Sequence, residues 1–205
     1  QQAASVLQHR PLSRFSALYR NETGAYWHKF RPWLTRSVHH SVFGAMEGKE
    51  CLDDAWHMQA DIEEAMLSGN DLSGAMLDYS KFFGLFDPDF AWALAAEAGF
   101  PQDVAEQMTD FAKNVTRYIK INNGYDAVMT DCNGVAEGCS LSLIIANIYV
   151  TTLFEMLEHR FQGIRLGAIL DDRNYRHPDP NVIIQGVNAT TEFDIAAGHV
   201  NNIDK

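Results

Sequence analysis

Two adjacent carboxylates, Asp171 and Asp172, sit inside the stretch Ile169-Leu170-Asp171-Asp172-Arg173-Asn174-Tyr175-Arg176. A short apolar run, residues 167–170, precedes them, and a polar, basic stretch that can continue as a second strand follows. That pattern predicts a tight hairpin with both acids at its tip. Neighbouring carboxylates repel, and one of them is driven towards its protonated form unless a cation lies between them. A hard divalent ion such as Mg²⁺ takes oxygen ligands and is held by one or two carboxylates together with phosphates. A surface Asp-Asp turn satisfies the same pattern, because Asp is a favoured turn residue. The remainder of the chain has to decide between the two.

The 205 residues suit one or two domains with a real core. No run of about 18 apolar residues occurs, so a membrane span is not expected. The chain opens on Gln1 with no charged and apolar leader, which reads as a piece of something longer without a signal peptide. Cys51, Cys132 and Cys139 are odd in number and form no C-x-x-C pair, which supports neither a disulfide frame nor a zinc site. A reducing compartment, nuclear or cytoplasmic, is the simpler expectation. The net charge of -11 is unevenly spread: residues 1–50 carry seven Lys/Arg and three Asp/Glu, or +4, leaving -15 for the remainder. A basic first segment ahead of an acidic body can place a polyanion on one side and metal ions on the other. An acidic protein with one cationic helix has the same charge pattern.

Residues 15–36 carry an apolar stripe of Leu18, Trp27, Phe30 and Leu34, with Arg20, Lys29, Arg31 and Arg36 outside it, which predicts a helix broken or kinked at Pro32. The interleaved Tyr19, Tyr26, Trp27 and Trp33 are read as core, with the charges exposed. Asp53 or Asp54 can cap a helix that runs to Leu67 and stops at Gly69-Asn70. Residues 72–80 read as a buried strand that delivers Asp78 at its end. Helices are expected over residues 90–98 and from Pro101 towards Arg117, followed by a hairpin about Asn123-Gly124. A glycine-bracketed loop, residues 134–140, then enters a long apolar helix over 141–160. After the Asp-Asp turn, Pro178 and Pro180 introduce a last helix, ended by Gly198.

Taken in order, these pieces resemble a reverse transcriptase, most closely the kind found in non-LTR retrotransposons and group II intron proteins. His9-Arg10-Pro11-Leu12-Ser13 is similar to the first fingers motif, and Phe43-Gly44 with Gly48-Lys49 to the next. Leu77-Asp78-Tyr79-Ser80-Lys81-Phe82-Phe83 resembles motif A, residues 134–147 motif B, and Leu170-Asp171-Asp172 motif C. Phe193-Asp194 through Gly198, with residues 201–205, resembles motif D. The resemblance implies two Mg²⁺ ions, replaceable by Mn²⁺, bridged by Asp78 and Asp171 with Asp172 in support and the Tyr79 carbonyl as a further ligand. It also implies that Arg10 contacts the incoming dNTP, that Phe83 is the steric gate against a ribose 2′-hydroxyl, that Glu137 and Gly138 lie near the nucleotide, and that Lys205 protonates pyrophosphate. RNA template and DNA primer are the implied partners. The resemblance leaves the oligomeric state open.

The chain departs from the family pattern at several points. Phe82 and Gly84 flank the gate where Ala and Asp are usual, Ala136-Glu137 replaces Pro-Gln, and an Arg expected near Met46 is missing. The expected fold is α+β: a right-hand polymerase palm, a small antiparallel sheet with helices on one face, over residues 71–205, with partial helical fingers over 1–70 and no thumb. Two functions stay open: an RNA-directed DNA polymerase, or a catalytically degenerate remnant with a nucleic-acid-binding or structural role. A third, another palm-type nucleotidyl transferase, is disfavoured by Phe83.

Overall fold

The computed structural model describes residues 14–79, 81–121, 124–129, 134–135 and 137–199. Arg10, Ala136 and Lys205 lie outside them. The fold is α+β, as expected, with seven helices and two small antiparallel sheets among the described residues.

The core is built around α6 (Ser142–Arg160). Its sequence is apolar on every side, so it must be covered all round, and Ile144, Ile145, Ile148, Leu153, Phe154 and Leu157 are all buried. The main sheet packs on it. Strand β1 (Ser73–Leu77) pairs antiparallel with β5 (Asp172–His177), which pairs with β4 (Arg165–Ile169), giving the order β1-β5-β4. Helix α7 (Pro180–Ala196) lies against β1, β5 and α6. The alternation of side chains across a strand puts Leu166, Ala168, Arg173 and Tyr175 on this helical face, and all four are buried.

The opposite face is covered only in part. Helix α2 (Cys51–Ser68) crosses β4 there, held by Arg176 Nε donating to Asp61 (2.6 Å), Asn174 Nδ2 donating to Asp54 (2.7 Å), and Arg165 bonding Asp61 and Glu64. Gly167 admits the Asp54 carboxylate, because a Cβ there would occupy the position of its Oδ1. Burial pushes the Asp54 carboxyl above its ordinary range, against the opposing pull of Asn174 and Arg176.

Around this centre stand α1 (Ala17–Ser37), the single turn α3 (Phe82–Leu85), α4 (Pro88–Glu97) and α5 (Gln102–Asn114), with the hairpin of β2 (Arg117–Ile121) and β3 (Gly124–Met129). Three expectations need correction. Helix α1 is not ended by Pro32 but runs on to Ser37, since burying Phe30 and Leu34 on either side of the proline outweighs the one backbone bond it removes. Leu18 is not part of the buried stripe and is exposed. Strand β1 is half-buried rather than buried, because it is an edge strand whose outer face, with Met76, meets solvent. No helix is long and apolar enough to cross a membrane among the described residues.

Candidate active site

The hairpin anticipated at Asp171-Asp172 forms, with Ile169 paired to Asp172 across a two-residue turn of Leu170 and Asp171. Leu170 takes the left-handed backbone conformation (φ 57°). Leu77 of β1 pairs with Arg173, so the antiparallel register continued by one residue sets Asp78 opposite Asp172. Facing residues in such a ladder have Cα atoms about 4.5–5.5 Å apart and project to one side. That side is the open one: Asp78 alternates with the exposed Met76, and Asp172 with Asn174 on the α2 face. Asp171 occupies the turn itself. Sequence segments 93 residues apart thus deliver carboxylates to one end of one sheet. The donors are all oxygens, suited to a hard divalent cation.

These three carboxylates are not drawn together as a set to within 4.8 Å. Their mutual repulsion favours that spacing. The one such convergence among the described residues is His39, His40 and Glu158, at the far end of α6. There His39 Nε2 faces Glu158 Oε2 at 3.1 Å while Nδ1 accepts from the Ser41 N–H at 3.2 Å. A ring whose Nδ1 accepts keeps its proton on Nε2 when neutral, so this geometry is an imidazole–carboxylate pair and not a metal ligand set.

Loops bring the other sequence-predicted residues near. Residues 41–43 add to the outer edge of β4 through a parallel bridge between Val42 and Ala168, with Phe43 N–H donating to the Ala168 carbonyl (2.8 Å). Gly44 then abuts the hairpin turn: a Cβ on it would lie 2.6 Å from the Leu170 nitrogen. Asn147 of α6 donates to the Gly44 carbonyl (3.0 Å) and approaches Met46 Sδ (3.4 Å). Met46 is itself in the core, which accounts for the absence of an Arg there. Lys49 closes the loop through the His40 and Val42 carbonyls (2.6 and 2.9 Å), and burial lowers its pKa.

Phe83, half-buried in α3, accepts at its carbonyl from Val135 N–H (2.9 Å). Gly134 (φ 94°) packs against Gly84 so closely that a Cβ would come within 2.7 Å of the Gly84 backbone. The loop carrying Glu137 and Gly138 is therefore fastened to the turn carrying Phe83. Glu137 is half-buried and Gly138 exposed.

Beneath the open face lies a buried polar network for which sequence reasoning made no provision. Tyr79, next to Asp78, donates to Asp194 Oδ1, as does Tyr149 (2.8 Å), and Arg173, next to Asp172, meets Asp194 Oδ2 at 3.4 Å. The Arg173 guanidinium stacks over the Tyr79 ring at 3.8 Å. Burial raises the pKa of both tyrosines. Burial also works against the Arg173 charge, but Tyr175, Tyr79 and Asp194 around it more than offset that. The strand alternation puts Arg173 in phase with Tyr175 and so carried the signal, but a charged residue reads as surface by default.

The family described as reverse transcriptase (RNA-dependent DNA polymerase) matches residues 6–202. The chain belongs to the reverse transcriptase family. Its ancestry is that of RNA-directed DNA polymerases, a family whose members generally use divalent metals. Among solved structures it is similar to telomerase from Candida tropicalis truncated from its C-terminal domain (TM-score 0.63, 12% identity, 91% of this chain and 41% of that one). It is also similar to telomerase from Candida albicans in complex with a TWJ fragment of telomeric RNA (TM-score 0.65, 15% identity, 87% and 34%). The corresponding Candida tropicalis complex gives a TM-score of 0.66 at 13% identity over 90% and 32%. At such identities the likeness is one of fold. This reverse transcriptase chain spans about a third to two fifths of the length of those telomerase chains. No curated protein matches it.

Proposed function

We propose that the chain is the fingers and palm of an RNA-directed DNA polymerase of the non-LTR retrotransposon and group II intron type, adding dNTPs to a primer 3′-hydroxyl with two divalent ions, Mg²⁺ by preference. The observation that supports this is the register: β1 pairs with β5 as far as Leu77 and Arg173, so Asp78 and Asp172 follow at the same end of the sheet, with Asp171 in the adjoining turn. The motif spellings support the retrotransposon type, and the RNA-bound telomerases of like fold support an RNA partner.

An all-oxygen donor set at a solvent-accessible strand end fits a hard cation. When bound, a pair of such ions activates the attacking hydroxyl and stabilises the leaving oxygen. Asp78, Asp171 and Asp172 would hold the ions, and the Tyr79 carbonyl would add a further oxygen. Phe83, by resemblance the steric gate, would crowd a ribose 2′-hydroxyl and select deoxynucleotides. Arg10 and Lys205 contribute at the triphosphate and pyrophosphate.

Primer extension on a primed RNA template with dNTPs and Mg²⁺ tests the proposal. Asp171→Ala and Asp78→Asn each remove a charged ligand and should cost about a thousandfold or more in rate, several kcal/mol of charge stabilisation. Full activity in Asp171→Ala sinks it. The half-buried Glu137 in the motif B loop favours a second reading, a degenerate domain that binds nucleic acid without extending it. At an effective dielectric of about 20, a carboxylate near a triphosphate costs ~1 kcal/mol or more. Incorporation with either Mg²⁺ or Mn²⁺ excludes that reading.

A further inference from the structure

Asp194 of α7 gathers three other elements onto one buried carboxylate. Tyr79 reaches it from the end of β1, Tyr149 from α6 and Arg173 from β5. Both Tyr79 and Arg173 are nearest neighbours of carboxylates placed in the metal site, Asp78 and Asp172, and the two contact each other through the stack at 3.8 Å. Alternation sends Tyr79 and Arg173 inward and their neighbours to the open face. Any shift of the inner pair is therefore transmitted through a single peptide unit to the outer one.

A buried ion pair is a poor source of stability, since apolar residues of similar volume commonly serve as well. The Arg173 and Asp194 side chains are both buried, at 0% and 1% exposure, in a site otherwise lined with aromatic rings that would accept apolar neighbours. What a directional network supplies and an apolar core does not is a fixed relative position of the strand ends.

We infer that Arg173 and Asp194 form a charge lock, with Tyr79 as its link, that positions Asp78 against Asp172 and so sets the affinity of the site for divalent cations. Their side chains act by positioning: none of the three touches substrate, and the Tyr79 carbonyl is left in place by the variants below. This rests on the palm reading above.

The test is an Mn²⁺ titration followed by electron paramagnetic resonance, with thermal melting of each variant alongside. Asp194→Asn leaves the Arg173 charge buried without its counter-charge and should melt lower. The double variant R173M/D194N removes both charges in side chains of similar size and should recover a melting midpoint close to the original. The lock predicts that the double variant nonetheless binds Mn²⁺ at least tenfold more weakly. Recovery of wild-type affinity along with stability overturns it, because the pair would then be structural only.

Should the double variant fail to fold, Tyr79→Phe carries the test. It deletes one hydroxyl, keeps the stacked ring, and should weaken Mn²⁺ several-fold with little change in melting; unchanged affinity again overturns the lock. Failure of the palm reading looks different: the unaltered chain would bind no Mn²⁺, or binding would survive Asp78→Asn.

Discussion

His199 is a base enclosed by rings. Tyr79, Phe82, Phe86 and Tyr149 surround it with centroids 4.4–5.4 Å away, and the residue is 1% exposed. Burial lowers its pKa from the usual 6.5 to about 4, with Asp194 pulling up and Arg173 pushing down. The unfolded chain therefore takes up a proton below pH 6.5 that the folded chain refuses until about 4. Stability from this group is complete above 6.5 and is lost as pH falls through that window, by up to about 3 kcal/mol. His199→Phe should flatten the loss: denaturant melts at pH 7.5 would differ little from the unaltered chain, and at pH 5 the variant would be the more stable. The residues hardest to foresee were of this kind. Nothing local marks a His after a helix stop or an Arg after an Asp pair as buried, and only the packing of α6, α7 and the sheet encloses them.

At the level of elements, much was legible because local rules and tertiary demand agree. The strand-turn-strand at Asp171-Asp172, the pairing of β2 with β3 and the Gly69 stop each appear where expected, the last with φ 64°. The motif order implied Asp78 and Asp171 as the bridging pair, with Asp172 in support. Expectation failed where packing overrode a local signal, as at Pro32, or where position in the sheet decided exposure, as in β1. Close contacts between loops were invisible too. Gly44 has no turn-type signature, yet its Cβ position is occupied by Leu170. Gly44→Ala should cost about 1–3 kcal/mol and shift the turn that carries Asp171, lowering primer extension along with the urea midpoint. Gly24→Ala, a site in α1 with nothing within 4 Å of the new methyl, should instead gain up to about 1 kcal/mol.

At the scale of the whole molecule, the basic residues of the first segment have different surroundings in α1. Lys29 and Arg36, two turns apart on one face of α1, are exposed, whereas Arg31 is engaged by Glu47 at 3.2 Å. If α1 lies along a single-stranded template, each phosphate contact contributes about 0.7 to the slope of log affinity against log salt. Lys29→Ala/Arg36→Ala should reduce that slope by about 1.4 in filter binding over a salt series, with melting unchanged. An unaltered slope would place the template elsewhere.

The interlock of Gly44 with Leu170 also bears on how such a chain can change over generations. A leucine in the left-handed region is strained by roughly 1–2 kcal/mol, and Gly44 must stay small to leave that leucine its place. Position 44 is not free to take a larger residue while the turn at 170 stands. A glycine at 170 would relieve the turn, but the backbone nitrogen of that residue, 2.6 Å from a Cβ on residue 44, would still keep site 44 small. In descendants of this sequence position 170 should therefore be free to drift towards glycine while position 44 stays glycine, held by a turn that lies 126 residues further along the chain.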